Sequence, residues 1–120
     1  MANPNIVSVA NIYGKVAGLA VTTSATAIAS NASSSGKIYK INSLIVSNVD
    51  GTLAADVTVD INKNQSTAFN LTHTVAVPAD ATLVVISKDT SIYLEENDSI
   101  RLAASANSRL EAVCSWEEIS

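Results

Sequence analysis

His73 and Cys114 are the residues best suited to chemistry, since each occurs once and each can move a proton or act as a nucleophile. Alternation places His73 on the same strand face as Leu71 and Val75, where it would be a buried base or a metal ligand. No second histidine exists to complete a metal site. The expectation is therefore a histidine near a strand end or a subunit contact, with its nitrogens hydrogen-bonded. Cys114 shares a face with Leu110, Ala112 and Trp116, and Glu117 and Glu118 follow closely. Carboxylates raise a thiol pKa, and a nucleophilic cysteine needs the opposite setting. An inert core cysteine is expected, with a Cys114–His73 pair on facing strands as the alternative.

The acids offer two further constellations. Glu95, Glu96 and Asp98 could supply several oxygens to a calcium ion, but they lack the spaced loop of an EF-hand, and a solvated turn is expected. Asp56 and Asp60 lie on one face of one strand, about 13 Å apart over four residues. That exceeds the carboxylate separation of glycoside hydrolysis, so they make no catalytic pair by themselves. There is no glycine-rich phosphate loop, no Gly-x-Ser-x-Gly elbow and no Cys-x-x-Cys. Asn31, Asn64, Asn70 and Asn97 each begin an Asn-x-Ser/Thr triplet, a coincidence expected in a chain rich in Asn and Ser. The aromatics Tyr13, Tyr39, Phe69, Tyr93 and Trp116 are too few for a stacking platform. No enzyme activity, cofactor or metal is expected.

The elements that carry these residues read as strands of one domain. A chain of 120 residues has room for a single core. Val, Ile and Thr number 34 against 9 for Leu and Met, and branching at Cβ favours the pleated sheet. Alternation is clear in Asp56–Asn62, in Phe69, Leu71, Val75 and Val77, and in Ile100, Leu102 and Ala104. Turn residues separate the runs: 31–36, Asp50-Gly51 as a hairpin signal, 63–67, Pro78-Ala79-Asp80, 95–98, and Asn107-Ser108 closing a last hairpin. Strands are predicted over 18–22, 25–30, 37–48, 53–62, 69–77, 81–87, 91–94, 98–105 and 109–118. Eight or nine short strands spaced in this way predict an all-β, single-domain antiparallel β-sandwich, jelly-roll-like in topology.

Residues 1–17 stand apart from the 18–120 sandwich domain. They read equally as an extended N-terminal arm that adds to a neighbour's sheet edge, or as a first strand of the same domain. In the arm reading, Ile6, Val7, Ile12 and Tyr13 are the contact residues, and deletion of residues 2–14 leaves the domain folded.

Charge and targeting narrow the partners. Residues 1–88 carry five Lys against four Asp, for +1, whereas residues 89–120 carry seven acids against two Arg, for −5. An acidic end without a basic patch argues against nucleic acid. No run approaches the roughly 20 apolar residues of a membrane helix. One cysteine and an opening without the basic start of a signal peptide predict folding in a reducing cytoplasm.

Four segments carry a family resemblance: Ile41–Gly51, Val77–Ile86, Ser91–Leu102 and Val113–Ser120. Together they resemble the small β-rich virion structural proteins of T4-like tailed phages infecting marine cyanobacteria, over nearly the whole chain. The resemblance implies a virion subunit made in the bacterial host cytoplasm, with other virion proteins of the capsid, neck or tail as partners. A capsid decoration or cement protein acting as a homo-oligomer is the expected role. A neck, fibre or tail component, or a carbohydrate-binding β-sandwich module for the host surface, is the alternative.

Overall fold

β-Branched residues dictate strands along most of the chain, and the computed structural model, which describes residues 3–120, arranges them in two sheets. Among the described residues the strands are β1 (Ile12–Val21), β2 (Thr26–Ser30), β3 (Ile38–Asn48), β4 (Ala55–Lys63), β5 (Thr67–Val77), β6 (Thr82–Ile86), β7 (Ile92–Leu94), β8 (Ser99–Ala104) and β9 (Leu110–Ile119). A 3-10 turn, Lys88–Thr90, separates β6 from β7. One sheet runs β1-β9-β3-β6, with β7 also on β3, and the other runs β2-β8-β4-β5. Every strand pairing is antiparallel. The molecule is an all-β sandwich.

The inner faces supply the core. Ile41, Leu44 and Val46 of β3 and Leu110, Ala112 and Cys114 of β9 face Val57 and Val59 of β4 and Ile100 and Leu102 of β8. Full burial of each large aliphatic side chain contributes about 1.5–3 kcal/mol. Tyr39 stacks on Trp116 at one end, with ring centroids 5.9 Å apart. β6 and β7 read as one interrupted strand. β6 covers Leu44–Ser47 of β3 and β7 covers Tyr39–Ile41, in the same direction.

Two turns differ from expectation. Asp50-Gly51 and Asn107-Ser108 close no hairpin, because β3 and β4, like β8 and β9, lie in different sheets. The first is an arch held by side chains. The Asp50 carboxylate accepts the N–H groups of Thr52 (2.8 Å) and Leu53 (3.0 Å), which hold its carboxyl below the usual range. Buried Asn48 donates to the carbonyls of Leu53 and Val77, both at 2.9 Å. The hairpin actually present joins β4 to β5 through residues 64–66, with Asn64 and Gln65 at φ 54° and 52°. Two consecutive positive φ values give the primed turn that suits strand twist.

The N-terminal boundary also moves. Residues 12–17 are the first six of β1, paired to β9 from Ile12↔Ile119 onward, so a division at 17/18 falls inside a strand. Residues 3–11 precede that strand and turn at Asn5–Ser8.

Candidate interaction surface

The two reactive side chains lie apart. His73 is exposed on β5, an edge strand of the four-stranded sheet. Cys114 has 0% exposure inside the central strand β9 of the other sheet, and burial pushes its thiol up to about 12. A thiol so protonated is no nucleophile at neutral pH. His73 does not share a buried face with Leu71 and Val75, because β5 carries two irregularities opposite Val57–Asp60. Thr74 absorbs part of the offset at φ 46°. Of the expected apolar face of β5, only Val77 is buried, and Phe69 and Leu71 are exposed.

Glu95 of the acidic turn is exposed, as expected of a solvated turn, but Asp98 is instead the centre of a buried structural knot. Asp98 is 1% exposed. Its Oδ1 accepts the Asn64 N–H at 2.9 Å, and its Oδ2 accepts the Glu95 N–H at 3.1 Å together with the Lys63 ammonium. The Asp98 carbonyl accepts the N–H of Asn31 at 2.9 Å. Asn31, itself fully buried, donates to the carbonyls of Lys37 (2.9 Å) and Leu94 (3.1 Å) and accepts the Ser35 hydroxyl at 2.6 Å. Three loops from both sheets are thereby tied together, and both Asp98 oxygens are engaged by donors. Among the described residues, no group of three or more His, Cys, Asp or Glu is placed to hold a metal ion. Asp60 is likewise structural: Arg101 grips it with Nε and Nη2 at 2.9 and 3.1 Å. Asp56 instead donates its N–H to the Ser105 hydroxyl.

Several large apolar side chains are left exposed. Ile6 and Val7 (89% exposed) sit on the turn before β1, and Ile12 and Tyr13 open β1 itself, all four exposed. The segment is anchored at both ends. Ala10 and Asn11 donate to the Ser120 carbonyl at 2.8 and 3.0 Å, and the Asn3 amide donates to Glu95 at 2.8 Å. Glu95 follows β7, so the tail crosses the end of the sheet away from the free side of β1.

Sequence reading missed a second group. On the outer face of the five-stranded sheet, Gly18, Val113, Ile45 and Val84 fall in register across four strands. Val113 and Val84 are exposed, and so is Val16 beside them at 69%. Gly18 leaves a shallow depression of about 340 Å³ between Leu19, Ala20 and Glu111–Val113. The signal was present in the alternation of each strand, but only the pairing register places these positions side by side.

No protein-family model matches this chain, and a comparison with curated proteins gives no match.

Proposed function

We propose that this chain is a structural subunit of a phage particle, a capsid decoration or cement protein that acts through protein–protein contacts. The observation that carries the reading is the unpartnered apolar surface. Ile12, Val16, Val84 and Val113 are exposed on one face of the five-stranded sheet and Ile6 and Val7 on the turn that precedes it, whereas Asp98, Lys63 and Asn31 hold loops together. Exposed apolar groups clustered in this way mark interaction sites. Sparse charge, 15% of residues, supports close approach by another protein. The strand orders support a jelly-roll reading, with sheets 1-9-3-6/7 and 2-8-4-5 joined by connections that mostly cross between them. Repeated copies on a particle multiply a modest interface through effective concentration, so no single contact needs to be strong.

The test is reconstitution on particles of the encoding phage made without this chain. Purified protein should co-sediment with them, and a variant lacking residues 2–9 should bind at least tenfold more weakly while melting within a few degrees of the parent. The cut spares Ala10 and Asn11, which bond Ser120, and all of β1. Failure of the intact chain to co-sediment would overturn the proposal.

A further inference from the structure

The free edges of the two sheets are not alike. β2 and β6 are five residues long and carry register shifts, β7 has three residues, and β5 is bulged twice. Such features blunt an edge against pairing with another chain. β1 is ten residues long, paired to β9 without a shift, free of proline, and charged only at Lys15.

The bonding pattern fixes which residues face outward. Asn11 and Ser120 exchange N–H···O bonds in both directions at 3.0 Å, which marks them as a hydrogen-bonded antiparallel pair. Alternation along the ladder makes Tyr13↔Glu118, Lys15↔Trp116, Ala17↔Cys114, Leu19↔Ala112 and Val21↔Leu110 the other bonded pairs. Ile12, Gly14, Val16, Gly18 and Ala20 therefore turn their N–H and C=O groups to the free edge. All five are exposed.

That set is symmetric about Val16, with glycine two residues away on either side. Glycine inside a strand weakens it unless another backbone approaches closely. Within the chain nothing requires either one. A Cβ at Gly14 would meet nothing within 4 Å, and one at Gly18 only the Ala112 carbonyl at 3.8 Å.

We propose that β1 pairs with β1 of a second copy, antiparallel about a two-fold axis at Val16. Val16 then lies opposite Val16 of the second copy, Gly14 opposite Gly18, and Ile12 opposite Ala20. Each is a hydrogen-bonded pair, so every outward N–H and C=O of the five residues is satisfied. Lys15 falls opposite Ala17 rather than opposite another Lys15, so no like charges sit directly across from each other. The valines form a β-branched cross-strand contact on the outer face, and the flanking glycines let the backbones close around it. The two five-stranded sheets become one continuous sheet, with the row through Val113, Ile45 and Val84 extended across both copies. This deepens the assembly reading by naming one partner as the chain itself, and rests on that reading only for its place on a particle.

Single cysteines placed at 12, 14, 16, 18 and 20 test the register, since Cys114 is fully buried. Residues at position 16 of the two copies would be about 5.5 Å apart, at 14 or 18 about 15 Å, and at 12 or 20 about 28 Å. A short bis-maleimide should cross-link the Val16→Cys chain at least tenfold faster than the Ile12→Cys or Ala20→Cys chain. Light scattering should give a dimer for the parent and a monomer for Val16→Lys, which sets two ammonium groups face to face. A monomeric parent, a flat cross-linking profile, or a dimer that survives Val16→Lys would overturn the inference. A monomer that still co-sediments with particles would do so while leaving the assembly reading standing.

Discussion

Asp98→Ala should lower the melting temperature by roughly 12 °C, because the substitution strips three donors of their acceptor at a buried site. The Lys63 ammonium and the N–H groups of Asn64 and Glu95 all converge on this carboxylate. Breaking such a set costs about 3 kcal/mol, and a domain of this size shifts by about 4 °C per kcal/mol. Lys63 is partly exposed and recovers some hydration, so the two stranded backbone groups dominate. Glu95→Ala, whose carboxylate meets Lys63 and Asn3 near the surface, should shift the same transition by only a few degrees. Thermal unfolding followed by circular dichroism separates the two. Equal shifts would mean that Asp98 is not the acceptor at the centre of the three loops.

Alkaline pH should destabilise the fold, and Cys114 should account for a large share of the loss. Burial raises its thiol from the ordinary 9.0 to about 12. The unfolded chain gives up that proton near pH 9, whereas the folded chain holds it until about pH 12. The stabilisation is therefore complete below pH 9 and is lost as pH rises towards 12. At 1.36 kcal/mol per pH unit the whole span is on the order of 4 kcal/mol. Burial and the neighbouring Glu118 raise the Tyr39 phenol, and the hydrogen bond that Lys63 donates to the Asp98 carboxylate raises the Lys63 ammonium. Both therefore push stability the same way at high pH. Cys114→Ala removes only the thiol's share. It should be about 1 kcal/mol less stable at pH 8, from lost packing, and should equal or exceed the parent near pH 11. Urea titrations across that range test this. Parallel curves for the two proteins would contradict it.

The sandwich was legible because β-branching and alternation are local. Val57, Val59, Ile100, Leu102, Leu110, Ala112 and Cys114 sit on the buried faces that their periodicity assigns. Asp50-Gly51 misled because an Asp-Gly pair reports a turn but not whether the next strand joins the same sheet. That choice is made by Asn48 reaching Leu53 and Val77, a contact between distant segments. His73 misled for a similar reason. Bulges in β5 reset which face each residue occupies, and they exist only in the pairing with β4. Of the candidate contact residues, Ile6, Val7, Ile12 and Tyr13 are exposed, but Ile12 and Tyr13 belong to a paired strand rather than to an arm. Val16, Val113 and Val84 escaped notice because alternation alone does not distinguish an outward valine from an inward one. A sandwich strand flanked by small residues can turn either face to the core, and only the register with β9 decides.

If the chain is the virion subunit proposed, gradient-purified, protease-washed virions of its phage, analysed by quantitative mass spectrometry, should contain it in many copies at a fixed ratio to the major capsid protein. A chain confined to the soluble lysate and missing from those virions would contradict the account.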